Sequence, residues 1–215
     1  AYTADDLALG EKLRGLLEQA GETVRFHSGK GPEGMKARDF AAEYFPKADA
    51  LIFIGAAGIA VRSIAPFVAS KLSDPAVLAL DDQGKFVISL LSGHVGGAND
   101  LANRIAGLIG AVPVVTTATD GHGVFAIDSW AAKQGFFIMN PEKIKAVSGK
   151  LLDGKPVGFA SPFPVLETLP KGFVRAEKNP DVAVDVRCPE TDCLWIVPPF
   201  LTLGVGCRKN TPEEA

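Results

Sequence analysis

One design occurs three times in this chain and constrains its fold more than any other feature. Leu51–Ile54 runs into Gly55-Ala-Ala-Gly58-Ile-Ala-Val-Arg62. Phe86–Leu91 runs into Ser92-Gly93-His94-Val95-Gly96-Gly97-Ala98-Asn99-Asp100. Val112–Val115 runs into Thr116-Thr117-Ala118-Thr119-Asp120-Gly121. Each is a short apolar run, rich in β-branched residues, that ends in small or hydroxylated residues. Runs this short suit a buried strand better than a helix. The second loop opens a clear helix, Ala98–Ile109, with Leu101, Ile105, Leu108 and Ile109 on one face. Strands that alternate with helices predict an α/β fold built on a mostly parallel, open sheet flanked by helices.

Further elements extend the pattern. Thr3 and Asp6 form an N-cap signature for a helix over 3–21, with Leu9, Leu13, Leu16 and Leu17 on one face and Gly21 at its stop. Val24–Phe26 reads as a short strand and Ala37–Phe45 as a helix. Val77–Leu80 and Phe86–Leu91 flank Asp81-Asp82-Gln83-Gly84, which has the chemistry of a tight turn, so the two runs are expected to pair as a hairpin. The texture changes near residue 140, because ten of the 15 prolines fall in the last 75 residues and discourage long helices there. Asn140 as N-cap, Pro141 in the first turn, an Ile144/Val147/Leu151 stripe and Gly154 as stop predict one more helix. Val157–Ala160, Val182–Val186 and Leu194–Val197 read as strands of a second, smaller α/β domain. The expected division is 1–138, 139–202 and a third segment, 203–215, that reads as the opening of a further domain. Ala1–Thr3 reads as the end of a strand.

At 215 residues the chain is one large domain or two small ones. With 47% apolar and 22% charged residues it is an ordinary globular composition, not a disordered one. Its formal charge of −3 offers no basic field for a nucleic-acid backbone. No apolar run approaches the roughly 18–20 residues of a membrane helix. Three cysteines are too few for a disulfide framework, and no charged-then-apolar leader opens the sequence, so a cytoplasmic location is expected.

The carboxyl ends of strands border the ligand crevice of an open α/β sheet. Glycines there let a ligand approach the backbone, and the first turn of a following helix attracts anions. Gly55, Gly58 and Arg62 in the first loop, Ser92, Gly93, Gly96, Gly97 and Asn99 in the second, and Thr116, Thr117 and Asp120 in the third are the candidate binding residues. A guanidinium and hydroxyls are donors that carboxylates and phosphates accept. The loop 92–100 carries far more polar chemistry than a turn needs. His94 sits where an imidazole can reach a ligand and titrate near neutrality, and Asp100 is placed to cap the helix, to orient His94, or both. His27 and His122 lie in loops and receive no role. Cys188 and Cys193 have no histidine near them, so no metal site is expected. Neither a Walker loop nor a full G-x-G-x-x-G is present.

Ile54–Pro66, Ser73–Val77, Ile88-Ser-Leu-Leu-Ser-Gly-His-Val-Gly-Gly-Ala-Asn-Asp-Leu-Ala102 and Thr116–Asp120 resemble the cobalt-precorrin-5A hydrolase (CbiG) family of anaerobic cobalamin biosynthesis. The likeness is firm over about 50–140 and looser over 141–203, and Gly204-Val-Gly-Cys-Arg208 is similar to the start of that family's C-terminal domain. The resemblance implies a hydrolase. It opens the δ-lactone of a cobalt-containing corrinoid precursor with water and releases a two-carbon fragment as acetaldehyde. It implies no cofactor of the protein's own, since the substrate carries the cobalt. The implied partners are the tetrapyrrole and neighbouring cobalamin-pathway enzymes, with no nucleic acid and no membrane. On this reading His94 is the general base for the attacking water, the N–H groups of Gly96 and Gly97 hold the oxyanion, and Arg62, Asn99, Thr116 and Thr117 grip the substrate's carboxylate arms. Two other readings fit the residues: a tetrapyrrole-binding or handover module without chemistry, and a flavodoxin-like domain that binds a phosphorylated cofactor such as FMN.

Overall fold

The computed structural model describes residues 4–29, 34–121, 123–165 and 168–201, with the side chain of Asp120 excepted. The expectations placed on Ala1–Thr3, His122 and 202–215 lie outside them. In chain order the elements are α1 (Ala4–Gln19), α2 (Ala37–Tyr44), β1 (Ala50–Ile54), α3 (Ala57–Ile64), β2 (Ala76–Leu80), β3 (Phe86–Leu91), α4 (Ala98–Ile109), β4 (Val112–Val114), α5 (Ala118–Gly121), α6 (Ile127–Lys133), β5 (Phe137–Ile138), α7 (Ile144–Leu152), β6 (Val157–Ala160), β7 (Phe173–Arg175), β8 (Val182–Val184) and β9 (Leu194–Val197). The chain forms two compact units, one ending at Ser129 and the other starting at Trp130.

The first unit holds a sheet of order β1-β2-β3-β4. β1 pairs parallel with β2 and β3 parallel with β4, while β2 and β3 form the antiparallel hairpin expected from their turn. Asp81 builds that turn: its carboxylate accepts from Phe86 N at 2.6 Å and its carbonyl from Gly84 N at 3.0 Å. β2 is buried along its whole length, which is why it reads as an unbroken apolar run. The period of two then assigns its side chains to opposite layers. Leu78 and Leu80 pack with Leu13 and Leu17 of α1 and Ala102 and Ile105 of α4. Val77 packs with Ala41 and Phe45 of α2, Leu51 of β1 and Ile64 of α3. Each fully buried leucine here contributes about 1.5–3 kcal/mol, and these contacts fix the sheet whose carboxyl ends carry the loops.

One expected strand is absent. Val24–Phe26 joins no ladder, and β1 is the edge of the sheet among the described residues. A cavity of about 640 Å³, lined by Val24, Phe26, Ile52 and Ile54 among others, lies between this segment and β1. Among the described residues the backbone of 24–26 joins no strand, although Val24 still packs against the core.

In the second unit the sheet order is β5-β9-β8-β6-β7, parallel except for the β5–β9 pair. The compact units part at 129/130, upstream of the expected 138/139, because Phe137–Ile138 is recruited as an edge strand against β9. Asn140 does not cap its helix through its side chain. Its amide donates to Cys193 O at 2.8 Å and accepts from Trp195 N at 2.8 Å, so it ties the start of the helical segment to β9.

Candidate functional site

The site grows out of the turn between β3 and α4. Ser92 leaves the strand with φ 57°, a left-handed conformation that costs a side-chain-bearing residue on the order of 1–3 kcal/mol. Its hydroxyl is buried and has no hydrogen-bond partner. The turn then closes on itself: Gly97 N donates to His94 O at 2.9 Å, Ala98 N to Ser92 O at 3.1 Å and Asn99 N to Gly93 O at 3.0 Å. The Gly97 amide expected to hold an oxyanion is thus committed inside the turn. The first two amides of α4, those of Ala98 and Asn99, are capped by backbone carbonyls rather than left for an anion. Gly96 and Gly97 do border the cavity, which they share with Gly55 and Ala56 just after β1 and Ile59 of α3.

Asn99 also departs from its expected role. It is buried, accepts from Ser89 Oγ at 2.7 Å and donates to Thr117 Oγ1 at 2.9 Å. Its amide pins β3, α4 and the loop after β4 together, so it is unavailable to grip a substrate arm. Gly93 is required by this pin, because a Cβ there would lie 2.7 Å from Asn99 Oδ1. Thr117 is engaged by the same bond, whereas Thr116 is exposed. Arg62 and Gly58 lie exposed on α3, with Arg62 Nη1 3.4 Å from Gly58 O. Gly55 adopts φ 134°, which only glycine takes readily, as the chain turns from β1 toward α3.

His94 is where the polar chemistry converges. Its Nδ1 lies 3.2 Å from Asp128 Oδ2 and its Nε2 lies 2.9 Å from Thr119 Oγ1. Its side chain keeps 21% exposure, against 7% for that of Asp128. Burial alone would raise the Asp128 carboxyl pKa. The hydrogen bond and charge of His94, with the Ser129 N–H, outweigh burial and hold it below the usual carboxylate value. An ionised carboxylate only accepts, so an imidazole that is neutral beside it would carry its proton on Nδ1 and turn the Nε2 lone pair to the Thr119 hydroxyl. The carboxylate set against the ring is therefore that of Asp128, while Asp100 stands exposed in the first turn of α4. Two of the three predicted loops meet here, through Asn99–Thr117 and His94–Thr119. The first and second meet at the cavity.

The comparisons with known proteins place this arrangement in a family. A family model described as "Cobalamin synthesis G N-terminal" matches residues 39–120, and one described as "Cobalamin biosynthesis central region" matches 125–198. The chain belongs to the CbiG family. It is 39% identical over 192 residues to a cobalt-precorrin-5A hydrolase of Salmonella typhimurium, a match that covers 80% of this chain and 54% of that protein. It is 31% identical over 183 residues to a cobalt-precorrin-5A hydrolase of Priestia megaterium, with 75% and 49% covered. The chain spans about half the length of the curated relatives it matches. A crystal structure of a cobalamin biosynthesis protein G homologue from Sulfolobus solfataricus shares the fold, with a TM-score of 0.57, 23% identity, and coverage of 92% of this chain and 58% of that one.

Within this CbiG chain, Thr119 and Asp128 are the site residues that sequence reasoning missed. Thr119 lies inside the recognised Thr116–Asp120 motif, so its signal was present. Asp128 lies 34 residues beyond His94 and reads as an ordinary first-turn acid of α6, so no spacing points to it.

Proposed function

We propose that the chain is the N-terminal and central part of a cytoplasmic hydrolase that opens the δ-lactone of cobalt-precorrin-5A, releases acetaldehyde and leaves cobalt-precorrin-5B. The observation that carries this reading is the half-buried His94. It stands at the carboxyl end of β3 between Asp128 and Thr119, in a chain whose relatives bear that name. Water adds to the lactone carbonyl and the acyl C–O bond breaks. The freed alkoxide forms the C=O of acetaldehyde as the carbon–carbon bond to the macrocycle breaks, and that bond's electron pair stays on the macrocycle carbon, which takes a proton. A lactone is an activated ester. It needs a positioned water and an acceptor for one proton, which a general base supplies at about 10²–10⁴-fold. Arg62 and Thr116, both exposed near these loops, are suited to hold carboxylate arms. No cofactor beyond the substrate's own cobalt enters the reading.

The test is acetaldehyde release from cobalt-precorrin-5A, read with a coupled NADH-dependent alcohol dehydrogenase, alongside optical titration of the corrinoid. Release that collapses in both His94→Ala and His94→Gln supports the proposal. Release at undiminished rate in both removes His94 from the chemistry. Tight binding without any release favours a handover module.

A further inference from the structure

We propose that Thr119, His94 and Asp128 form a proton relay in which Asp128 fixes the imidazole tautomer and the Thr119 hydroxyl carries the proton between the attacking water and His94 Nε2. The inference rests on the hydrolase reading for its substrate, but its hydrogen-bond part stands on geometry alone. Asp128 Oδ2 at 3.2 Å faces Nδ1, and Thr119 Oγ1 at 2.9 Å faces Nε2, so both ring nitrogens are engaged. The nitrogen that would take a proton is thus screened by a hydroxyl, and Thr119 is itself only 5% exposed. A base so placed acts through that hydroxyl. Thr119 passes its own proton to Nε2 while its oxygen takes one from water, and the water oxygen bonds to the lactone carbonyl carbon. The alkoxide freed from the lactone stays unprotonated and collapses to acetaldehyde, and the same shift in reverse delivers the proton from Nε2 through Thr119 to the macrocycle carbon that acetaldehyde leaves.

The arrangement has the roles of a hydroxyl–imidazole–carboxylate triad, which recurs on unrelated folds and is known by geometry rather than by chain order. Relay is favoured over direct attack by Thr119 because a deeply buried, β-branched hydroxyl reaches a small water far more readily than the carbonyl of a bulky macrocycle. The two side groups also constrain each other. Asp128 as acceptor leaves Nε2 without a proton, so Thr119 must donate to it, and the oxygen lone pairs of Thr119 then face away from the ring. Asp128 is a positioning residue in this scheme, since it acts through His94.

The experiment separates the relay from the reaction. Long-range ¹⁵N–¹H correlation spectra of the chain without substrate, with His94 assigned by its loss in His94→Gln, read the tautomer directly. The wild type is expected to show the Nδ1–H form. Asp128→Asn, whose amide donates to Nδ1, is expected to move the proton to Nε2. Thr119→Val is expected to leave the proton on Nδ1 and shift only the Nε2 resonance. An Nε2–H wild type, or no change in Asp128→Asn, overturns the relay whatever the substrate is. In the acetaldehyde assay Asp128→Asn should lose about 10³–10⁴-fold in kcat from the wrong tautomer. Thr119→Val should lose about 10²-fold or more in kcat with KM little changed, and Thr119→Ser should recover most of it. Wild-type kcat in Thr119→Val, or an acyl-threonine adduct by mass spectrometry, overturns the relay while leaving the hydrolase reading intact. A Nδ1–H tautomer that switches as expected, in a chain that binds the corrinoid but releases nothing, supports the hydrogen-bond chain and sinks the reaction instead.

Discussion

Adjacent glycines in the β3–α4 turn are required for different reasons, and substituting each with alanine separates them. Gly96 lacks room. A Cβ there would lie 2.4 Å from Ser92 Cβ, 2.9 Å from Ser92 O and 3.1 Å from Asp74 O. Carbon pairs sit comfortably at about 3.5–4.0 Å, and these neighbours are backbone carbonyls and a Cβ that cannot swing aside. Overpacking of this kind costs about 1–3 kcal/mol, and the immobility of the neighbours puts Gly96→Ala at about 3 kcal/mol. Gly97 has room, with nothing within 4 Å of its built Cβ, but its φ of +80° is the difficulty. A left-handed alanine costs about 1–2 kcal/mol, and the stiffer unfolded chain returns about 0.4–1 of that, so Gly97→Ala should cost about 1 kcal/mol.

For a unit of this size 1 kcal/mol corresponds to about 3–5 °C, so the expected losses in melting temperature are about 10 °C for Gly96→Ala and about 3–5 °C for Gly97→Ala. Urea titrations with unchanged m values would confirm that stability, and not the unfolded ensemble, has moved. A double mutant adds a sharper check. Ser92→Gly removes the nearest obstructing carbon, so Ser92→Gly/Gly96→Ala should be more stable than the sum of its singles by at least about 1 kcal/mol. The carbonyls of Ser92 and Asp74 remain, so recovery should be partial. Gly97→Ala as damaging as Gly96→Ala, or strict additivity in the double mutant, would refute the assignment of space to one glycine and backbone conformation to the other.

Other outcomes follow from the same contacts. Asn99→Ala removes the hydrogen bonds to Ser89 and Thr117 and should cost about 2–4 kcal/mol in urea titrations. Asn140→Ala removes both ties to β9 and should lower the midpoint of the second unit by about 2 kcal/mol while the first unit's transition stays in place. The folded-state pKa of Asp128 is depressed, so its contribution to stability is full above the unfolded carboxylate value and fades as pH falls through the folded one. The stability difference between wild type and Asp128→Asn should therefore shrink below about pH 4, and a gap that widens toward acid would reverse this sign.

The first sheet was legible because its evidence is local. β2 and β3 declare themselves by apolar runs around an Asp-Gly turn, and α4 by its Leu101/Ile105/Ile109 stripe. Phe137–Ile138 and Val174 could not be read as strand residues, because two or three residues become a strand only when a partner edge is present. Val24–Phe26 failed the opposite way: its residues favour a strand, but among the described residues it pairs with none. In the candidate site, glycine content and a lone imidazole pointed to the loop in which His94 meets Asp128 and Thr119. What sequence could not show is which polar groups are already used. Asn99 looks like a free amide until Ser89 and Thr117 are placed beside it. The Gly97 N–H looks like a donor until His94 O turns toward it. Asp128 looks like a helix-start acid until the fold brings it to Nδ1.

These cases share one physical rule, which sets where chemistry can sit in this chain. A polar group at the end of a buried strand must be satisfied by the protein or by a ligand. In the 92–100 loop the protein itself engages the amides of 97, 98 and 99 and both ends of the Asn99 side-chain amide. Those bonds brace the turn and take these three amides out of any anion cradle. Rigidity is also what a base needs, since a ring held from both nitrogens cannot drift from a reacting water. On the proposed hydrolase reading, exposed groups such as Arg62 and Thr116 bind the carboxylate arms, and His94 and its two partners carry the chemistry. Arg62→Ala should accordingly weaken corrinoid binding in optical titrations without moving the His94 tautomer. A tautomer that shifted with Arg62 would show that binding and chemistry are not divided in this way.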